Sequence, residues 1–207
     1  MPVEAQTEKD TTRLEAFSDG VFAIAITLLV LEIKVPHVGD LAEPTSRALL
    51  NSLAREWPSY FSLVTSFLTV LIMWMHHHRV MRLVRRADTR LLFANGVLLL
   101  FVSVVPFPTA LIAEYLGTPA APAACTVYAG VFVGIGTAFL LFLAAAFRPQ
   151  VLVPDAPPAT ITSLRRSYRA GPPLYLLATI AAPFSPWLAM GICTALWILW
   201  AATTTEC

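Results

Sequence analysis

The sequence predicts an all-α integral membrane protein with six transmembrane helices, and three observations carry that prediction. Of 207 residues, 57% are hydrophobic and only 13% charged, with a mean hydropathy of +0.69. Soluble domains carry about 25% charged residues, so the chain is expected to sit in a lipid bilayer. Its apolar residues form long uncharged runs, and its basic residues are gathered into two of the stretches between them. No room is left for a separate soluble domain. One membrane domain is expected over residues 1–207, with spans at approximately 13–35, 57–78, 91–113, 123–147, 166–182 and 187–204. The net charge of +1 gives no sign of a nucleic-acid partner.

Residues 1–12 are polar, and a disordered start is expected until Thr11 or Thr12 caps the first helix, with Glu15 as the capping-box partner of Thr12. The first span lies in Arg13 to Pro36, RLEAFSDGVFAIAITLLVLEIKVP. Its uncharged part, Gly20 to Leu31, makes about 18 Å of helix against a hydrocarbon core of about 30 Å. To cross, the helix must bring Asp19 and Glu32 into or near the membrane. Charge at such depth faces a bundle interior or a water-filled path, so this is read as an inner helix. It ends before Pro36. No cleavable signal peptide is expected: mixed charge precedes the apolar run, Glu32 and Lys34 follow it, and no small-residue cleavage site is present. A polar linker with Gly39, Asp40 and Pro44 fills residues 37–55.

The second span has no charge before Arg79, and its Ser62, Ser66 and Thr69 fall on one helical face. In lipid such a stripe packs against a neighbouring helix. Arg79, Arg82, Arg85, Arg86 and Arg90 make a basic loop. The third span holds Asn95 near its start and Pro106 and Pro108 near its end, where the prolines should kink or stop it. A short loop with Glu114 leads to the fourth span, which contains Gly130 and Gly134 at GxxxG spacing. A second basic loop carries Arg148, Arg165, Arg166 and Arg169. The last apolar run is split by Pro183-Phe184-Ser185-Pro186, and the short fifth span can cross only if Arg165 and Arg166 extend it and snorkel. Nine of the fourteen basic residues lie in the two basic loops. The positive-inside rule then puts both loops and both termini in the cytoplasm, in a multi-pass protein of the cell (inner) membrane.

Few residues carry chemistry. Cys125, Cys193 and Cys207 form no C-x-x-C pair and read as small membrane-helix residues. His76, His77 and His78 point about 100° apart on a helix, so one metal ion cannot readily meet all three, and no metal is expected. No GxSxG, HExxH or phosphate-cradling loop is present, and an enzyme is not expected. A secondary or proton-coupled transporter is the alternative, although no internal repeat and no mid-span charge supports it. On the first helix, Arg13, Phe17, Gly20, Ile24, Leu28 and Leu31 share one face, while Ala23, Thr27 and Val30 lie on the other with Asp19 at its end. The apolar stripe permits two readings, packing within the subunit or a pore lining that gates by dewetting.

The pattern R-x-x-x-F-S-D-G-x-F, realised as Arg13, Phe17, Ser18, Asp19, Gly20 and Phe22, resembles the signature of the transmembrane-protein-175 potassium channels, prokaryotic members above all. The continuation AIAITLLVLEIKVP and the tryptophan-then-histidine end of span two are similar as well. The resemblance implies a channel selective for potassium over sodium. It implies a homotetramer of six-span subunits whose first helices line a central pore, with monovalent cations as the permeant partners and no cofactor. By the same resemblance Ile24 forms the tightest constriction, with Leu28 and Leu31 above it. No TVGYG-like segment occurs, so a carbonyl filter is not expected. Glu32 at the outer mouth either concentrates cations or pairs with Lys34 or a neighbour. At the cytoplasmic end, Arg13, Ser18 and Asp19 lie near Trp74, His77, His78 and Asn95. A hydrogen-bonded cluster of Asp19, one or more of these histidines and Asn95 is expected there, tying the first helix to spans two and three.

Overall fold

The structure, a computed structural model, describes residues 3–40, 43 and 45–204, with side chains described for 11–39, 43 and 45–202. Pro44 and Cys207 lie outside the described residues. Among the described residues nine α-helices follow one another: α1 (Val3–Leu28), α2 (Ser46–Arg55), α3 (Trp57–Met81), α4 (Thr89–Val104), α5 (Pro106–Tyr115), α6 (Ala121–Ala146), α7 (Pro158–Arg169), α8 (Gly171–Ala181) and α9 (Pro186–Thr204). Four stretches of the described residues are long and apolar enough to cross a membrane: Thr11–Glu32, Trp57–Met81, Thr89–Tyr115 and Ala121–Ala146. A shorter apolar helix covers Pro186–Ala202.

Several boundaries differ from the sequence reading, each for a physical reason. The first helix begins at Val3, so Thr11 and Thr12 do not cap it, and Glu15 turns to His78 instead of closing a capping box. At its other end α1 tightens into a 3-10 turn, Leu29–Glu32, before Ile33 becomes extended ahead of Pro36. Leu29 is fully buried in that turn. The linker is not wholly irregular. Thr45 accepts a hydrogen bond from the Ala48 amide and starts α2, which exposes Leu49 and Leu50 and buries nothing.

Proline sets two breaks. Pro106 has no amide hydrogen to donate, and the third span divides at Val105 into α4 and α5. At Ala170 the sequence Gly171-Pro172-Pro173 separates α7 from α8, so Arg165 and Arg166 do not lie on a continuous fifth helix as expected. Alone, α8 is 11 residues long, about 16 Å.

The middle of the subunit is α6, packed against α4, α5, α8 and α9. A Cβ at Gly134 would overlap the ring of Phe101 on α4, which only glycine admits. Gly130 faces Thr179 of α8 loosely, so the two glycines do not form one tight seam. The hydroxyl stripe of α3 turns inward: Ser66 Oγ lies 3.1 Å from Tyr128 Oη of α6 and 2.7 Å from Thr109 Oγ1 of α5. With no water in the bilayer core, such groups must find one another. Cys125 and Cys193 are free and buried.

The two basic loops lie side by side. The Arg85 amide donates to the Val151 carbonyl at 2.8 Å, the Val153 amide to that of Leu83 at 3.0 Å, and Val84 and Leu152 form an antiparallel bridge. Arg148 Nη2 donates to both carboxylate oxygens of Asp88, at 2.6 and 2.7 Å, and Asp88 Oδ1 caps α4 by accepting from the Leu91 amide at 2.9 Å. The hydrogen bond from Arg148 holds the Asp88 carboxyl below its ordinary pKa. A depressed carboxyl pKa contributes stability at neutral pH that is lost as pH falls through the folded-state value. Asp88→Asn keeps a capping side chain but loses the ion pair. We expect it to cost up to about 1 kcal/mol at pH 7. In thermal melts of detergent-solubilised protein, the gap between the variant and the unmodified chain should close as the pH is lowered.

Candidate functional site

One side of α1 is bound to its own subunit and the other is bare. Leu14, Ser18, Phe22, Ala25 and Leu29 are buried against the bundle. Phe17, Ile24, Leu28 and Leu31 are 63%, 61%, 40% and 71% exposed. Ala23, Thr27 and Val30, on the flank of that stripe, are exposed too. At 100° per residue the uncovered arc spans about 160° of the helix. Gly20 sits in it, and a Cβ there would meet nothing within 4 Å. Arg13 continues the exposed line at its N-terminal end. The 3-10 turn brings Leu31 directly above Leu28, because side chains at i and i+3 eclipse in that geometry.

The buried side of α1 is fastened by a polar chain. Ser18 Oγ donates to the Leu14 carbonyl at 2.8 Å and accepts from Asn95 Nδ2 of α4 at 2.9 Å. Asn95 Oδ1 then receives His77 Nε2 of α3 at 2.8 Å. Since the Asn95 oxygen only accepts, the His77 proton must be on Nε2, and Nδ1 keeps its lone pair. The imidazole stacks on Phe142 of α6 (centroids 4.9 Å apart) and meets Phe22 of α1 at 5.5 Å. Ser18, His77 and Asn95 are all essentially inaccessible to solvent. Four helices meet at this point.

Asp19 does not join that chain. Its Oδ1 accepts instead from Trp74 Nε1 at 2.8 Å, at the edge of the bare arc, and the ring of Trp74 stacks on His78. One position along the helix makes the difference: Ser18 faces the bundle, and Asp19 is turned 100° away, half-buried. His78 Nδ1 lies 2.8 Å from Glu15 Oε1. His76 faces the opposite way, edge-on to Tyr168 at 5.1 Å. The three histidines thus address three neighbours, and among the described residues no three metal-ligating side chains converge. The expected single cluster is three separate contacts, Ser18–Asn95–His77, Asp19–Trp74 and Glu15–His78.

At the far end of α1, Glu32 is partly exposed at the close of the 3-10 turn. Lys34 pairs with Glu114, at the end of α5, and not with Glu32. Two features of the site carry no signal in the sequence. Phe142 is one aromatic among many on α6, and the Glu15–His78 pair joins residues 63 positions apart.

The family described as endosomal/lysosomal potassium channel TMEM175 matches residues 13–106, a stretch that takes in α1 from Arg13 onward, α3 and α4, and with them Ser18, His77 and Asn95. A potassium channel of Chamaesiphon minutus is 48% identical over 200 residues, 96% of this chain and 97% of that one. A potassium channel of Streptomyces collinus is 43% identical over 185 residues, covering 85% and 86% of the two chains. The crystal structure of a lysosomal potassium-selective channel TMEM175 homolog from Chamaesiphon minutus superimposes with a TM-score of 0.83 at 44% identity, covering 94% of this chain and 98% of that one. Those proteins are ion channels and not enzymes. With near-full-length identity of this order, and with the bare and bonded sides of α1 built from the motif residues, the chain belongs to the TMEM175 family of ion channels.

Proposed function

We propose that this chain is one subunit of a channel selective for potassium over sodium, in which four copies place their α1 helices around a central axis. The observation that carries the reading is the bare apolar face of α1, uncovered by its own subunit on a helix with Asp19 and Glu32 at the two ends of its uncharged run. Its arc is wide enough to serve both the axis and the flanking copies, and open space at Gly20 leaves room for a neighbouring helix. Likeness to potassium channels over nearly the whole chain supports the same assignment.

In this reading Ile24, Leu28 and Leu31 stack as three apolar rings along about 10 Å of the axis. A neck of that kind offers no oxygen to replace the hydration shell. Potassium, which gives up water more cheaply than sodium, passes at lower cost, and the neck empties of water when it narrows. Glu32 from each copy lies at the outer mouth, where its field concentrates cations. The polar chain does not touch the permeant ion. It sets the angle of α1 against α3 and α4, and so which residues reach the axis. The six crossings are α1, α3, α4 with α5, α6, α8 prolonged by α7, and α9. The adjoining basic loops support a common cytoplasmic side, with both termini there and the cell (inner) membrane as the location.

Two experiments test this reading. In planar bilayers under opposed potassium and sodium, the purified protein should show a reversal potential displaced towards that of potassium. Ile24→Asn should raise conductance and pull that potential towards zero; unchanged selectivity would remove Ile24 from the neck. Asn95→Ala should act differently, because it leaves the buried Nε2 of His77 without a partner, while the Ser18 hydroxyl keeps its bond to the Leu14 carbonyl. A cost of about 1–3 kcal/mol for that unsatisfied group is expected, read as a lower melting temperature and less assembled oligomer. Asp19→Ala should likewise reduce assembly more than it alters ion preference. A stable Asn95→Ala or Asp19→Ala oligomer with altered selectivity would move these residues into the permeation path.

A further inference from the structure

The short helix α7 has two different faces. Leu164 and Tyr168 are buried in the subunit, and the Tyr168 ring stacks on Trp200 of α9 at 5.9 Å. Ser163, Arg166, Ser167 and Ala170, at i, i+3, i+4 and i+7, line the other face. With Leu199 and Trp200 of α9 they enclose an open groove of about 340 Å³. Three of the four α7 residues are small. Space is left where long side chains would ordinarily fill it.

The two adjacent arginines are used differently. Arg165 folds back onto the subunit, with Nη2 donating to the Phe147 carbonyl at 3.2 Å and the guanidinium lying over the Phe147 ring. Arg166 is exposed in the groove, and no carboxylate among the described residues forms an ion pair with it. The groove therefore combines one guanidinium, two hydroxyls and an aromatic–aliphatic floor. It lies at the junction of polar α7 with the apolar helices, the depth at which tryptophan and arginine meet phospholipid headgroups.

We propose that this groove binds the headgroup of an anionic phospholipid. The phosphate would accept from Arg166 in the fork geometry that guanidinium offers and from the hydroxyls of Ser163 and Ser167, with the upper acyl chain lying along Leu199 and Trp200. The inference rests on the cytoplasmic placement of α7 but not on ion conduction, so it stands or falls by its own test. Charge complementarity selects the lipid: a zwitterionic headgroup offers the same phosphate but sets its ammonium beside Arg166 and brings no net counter-charge, and a free phosphate gains nothing from the apolar floor.

The test uses the assembled full-length protein in detergent, titrated with phosphatidylglycerol or phosphatidylcholine, with bound lipid counted by native mass spectrometry and melting temperature followed in parallel. Phosphatidylglycerol should be retained and should raise the melting temperature; phosphatidylcholine and millimolar inorganic phosphate should do neither. Arg166→Gln should weaken phosphatidylglycerol binding about fivefold, the effect of one interfacial arginine on an anionic headgroup. Arg166→Lys should recover most of it, and Arg82→Gln, an equal loss of charge in the other basic loop, should leave it nearly unchanged. Equal losses in Arg166→Gln and Arg82→Gln would mean general surface attraction and overturn the groove. So would an Arg166→Gln protein that falls apart into monomers in detergent without lipid, since the groove would then be a contact between copies. Retention of inorganic phosphate as strongly as of lipid would overturn the lipid assignment too.

Discussion

Everything about α1 depends on the buried hydrogen-bond chain from Ser18 through Asn95 to His77. Its Ser18, Asn95 and His77 side chains are buried and bond to one another and to the Leu14 carbonyl, with His77 Nδ1 left without a partner. The Asn95 amide gives a donor to α1 and an acceptor to α3 with a single planar group, which fixes both helices relative to α4. Phe142 and Phe22 flank the imidazole, one stacked on it and the other tilted against it. Once that side is locked, the opposite side of α1 must be whatever the subunit does not cover.

That division explains why the motif residues are of such different kinds. Ser18 and Phe22 look into the subunit and serve its packing, whereas Phe17, Gly20 and Ile24 look away from it. Asp19 stands on the border, held by the indole of Trp74. A charged carboxylate is tolerated there because it is only half-buried and meets a strong donor. The chain thus buries one side of α1 and leaves the apolar stripe on its other side bare.

The same end of the bundle, where α3 gives way to α4, is organised by charge. Nine arginines crowd two stretches of the chain, and three of them are handled in different ways. Arg148 is neutralised by Asp88 while that carboxylate caps α4; Arg165 is turned onto a carbonyl and an aromatic ring; Arg166 is left facing the groove. Self-repulsion is limited by the short antiparallel bridge between the loops, which holds backbone against backbone where side chains would push apart.

Much of this was legible in the sequence. Composition and long uncharged runs point to helices in a membrane, because apolar stretches of about twenty residues suit a spanning helix and not the shorter, alternating strands of a barrel. Proline positions mark where α4 yields to α5, and helical spacing alone puts Ile24, Leu28 and Leu31 on one face. Three things required the tertiary structure. Whether Ser18 or its charged neighbour meets Asn95 turns on 100° of helix rotation, which sequence spacing leaves open until a partner helix is in place. The amphipathic α2 and the separate α7 form inside stretches that read as linker and as an extended span, since their apolar residues are few and their turns are set by Thr45 and by Gly171-Pro172-Pro173. And the partners Phe142 for His77, Glu15 for His78 and Glu114 for Lys34 are distant in the chain, so only packing could bring them together. Local pattern records what each helix can present; which side meets a neighbour is decided by the neighbours.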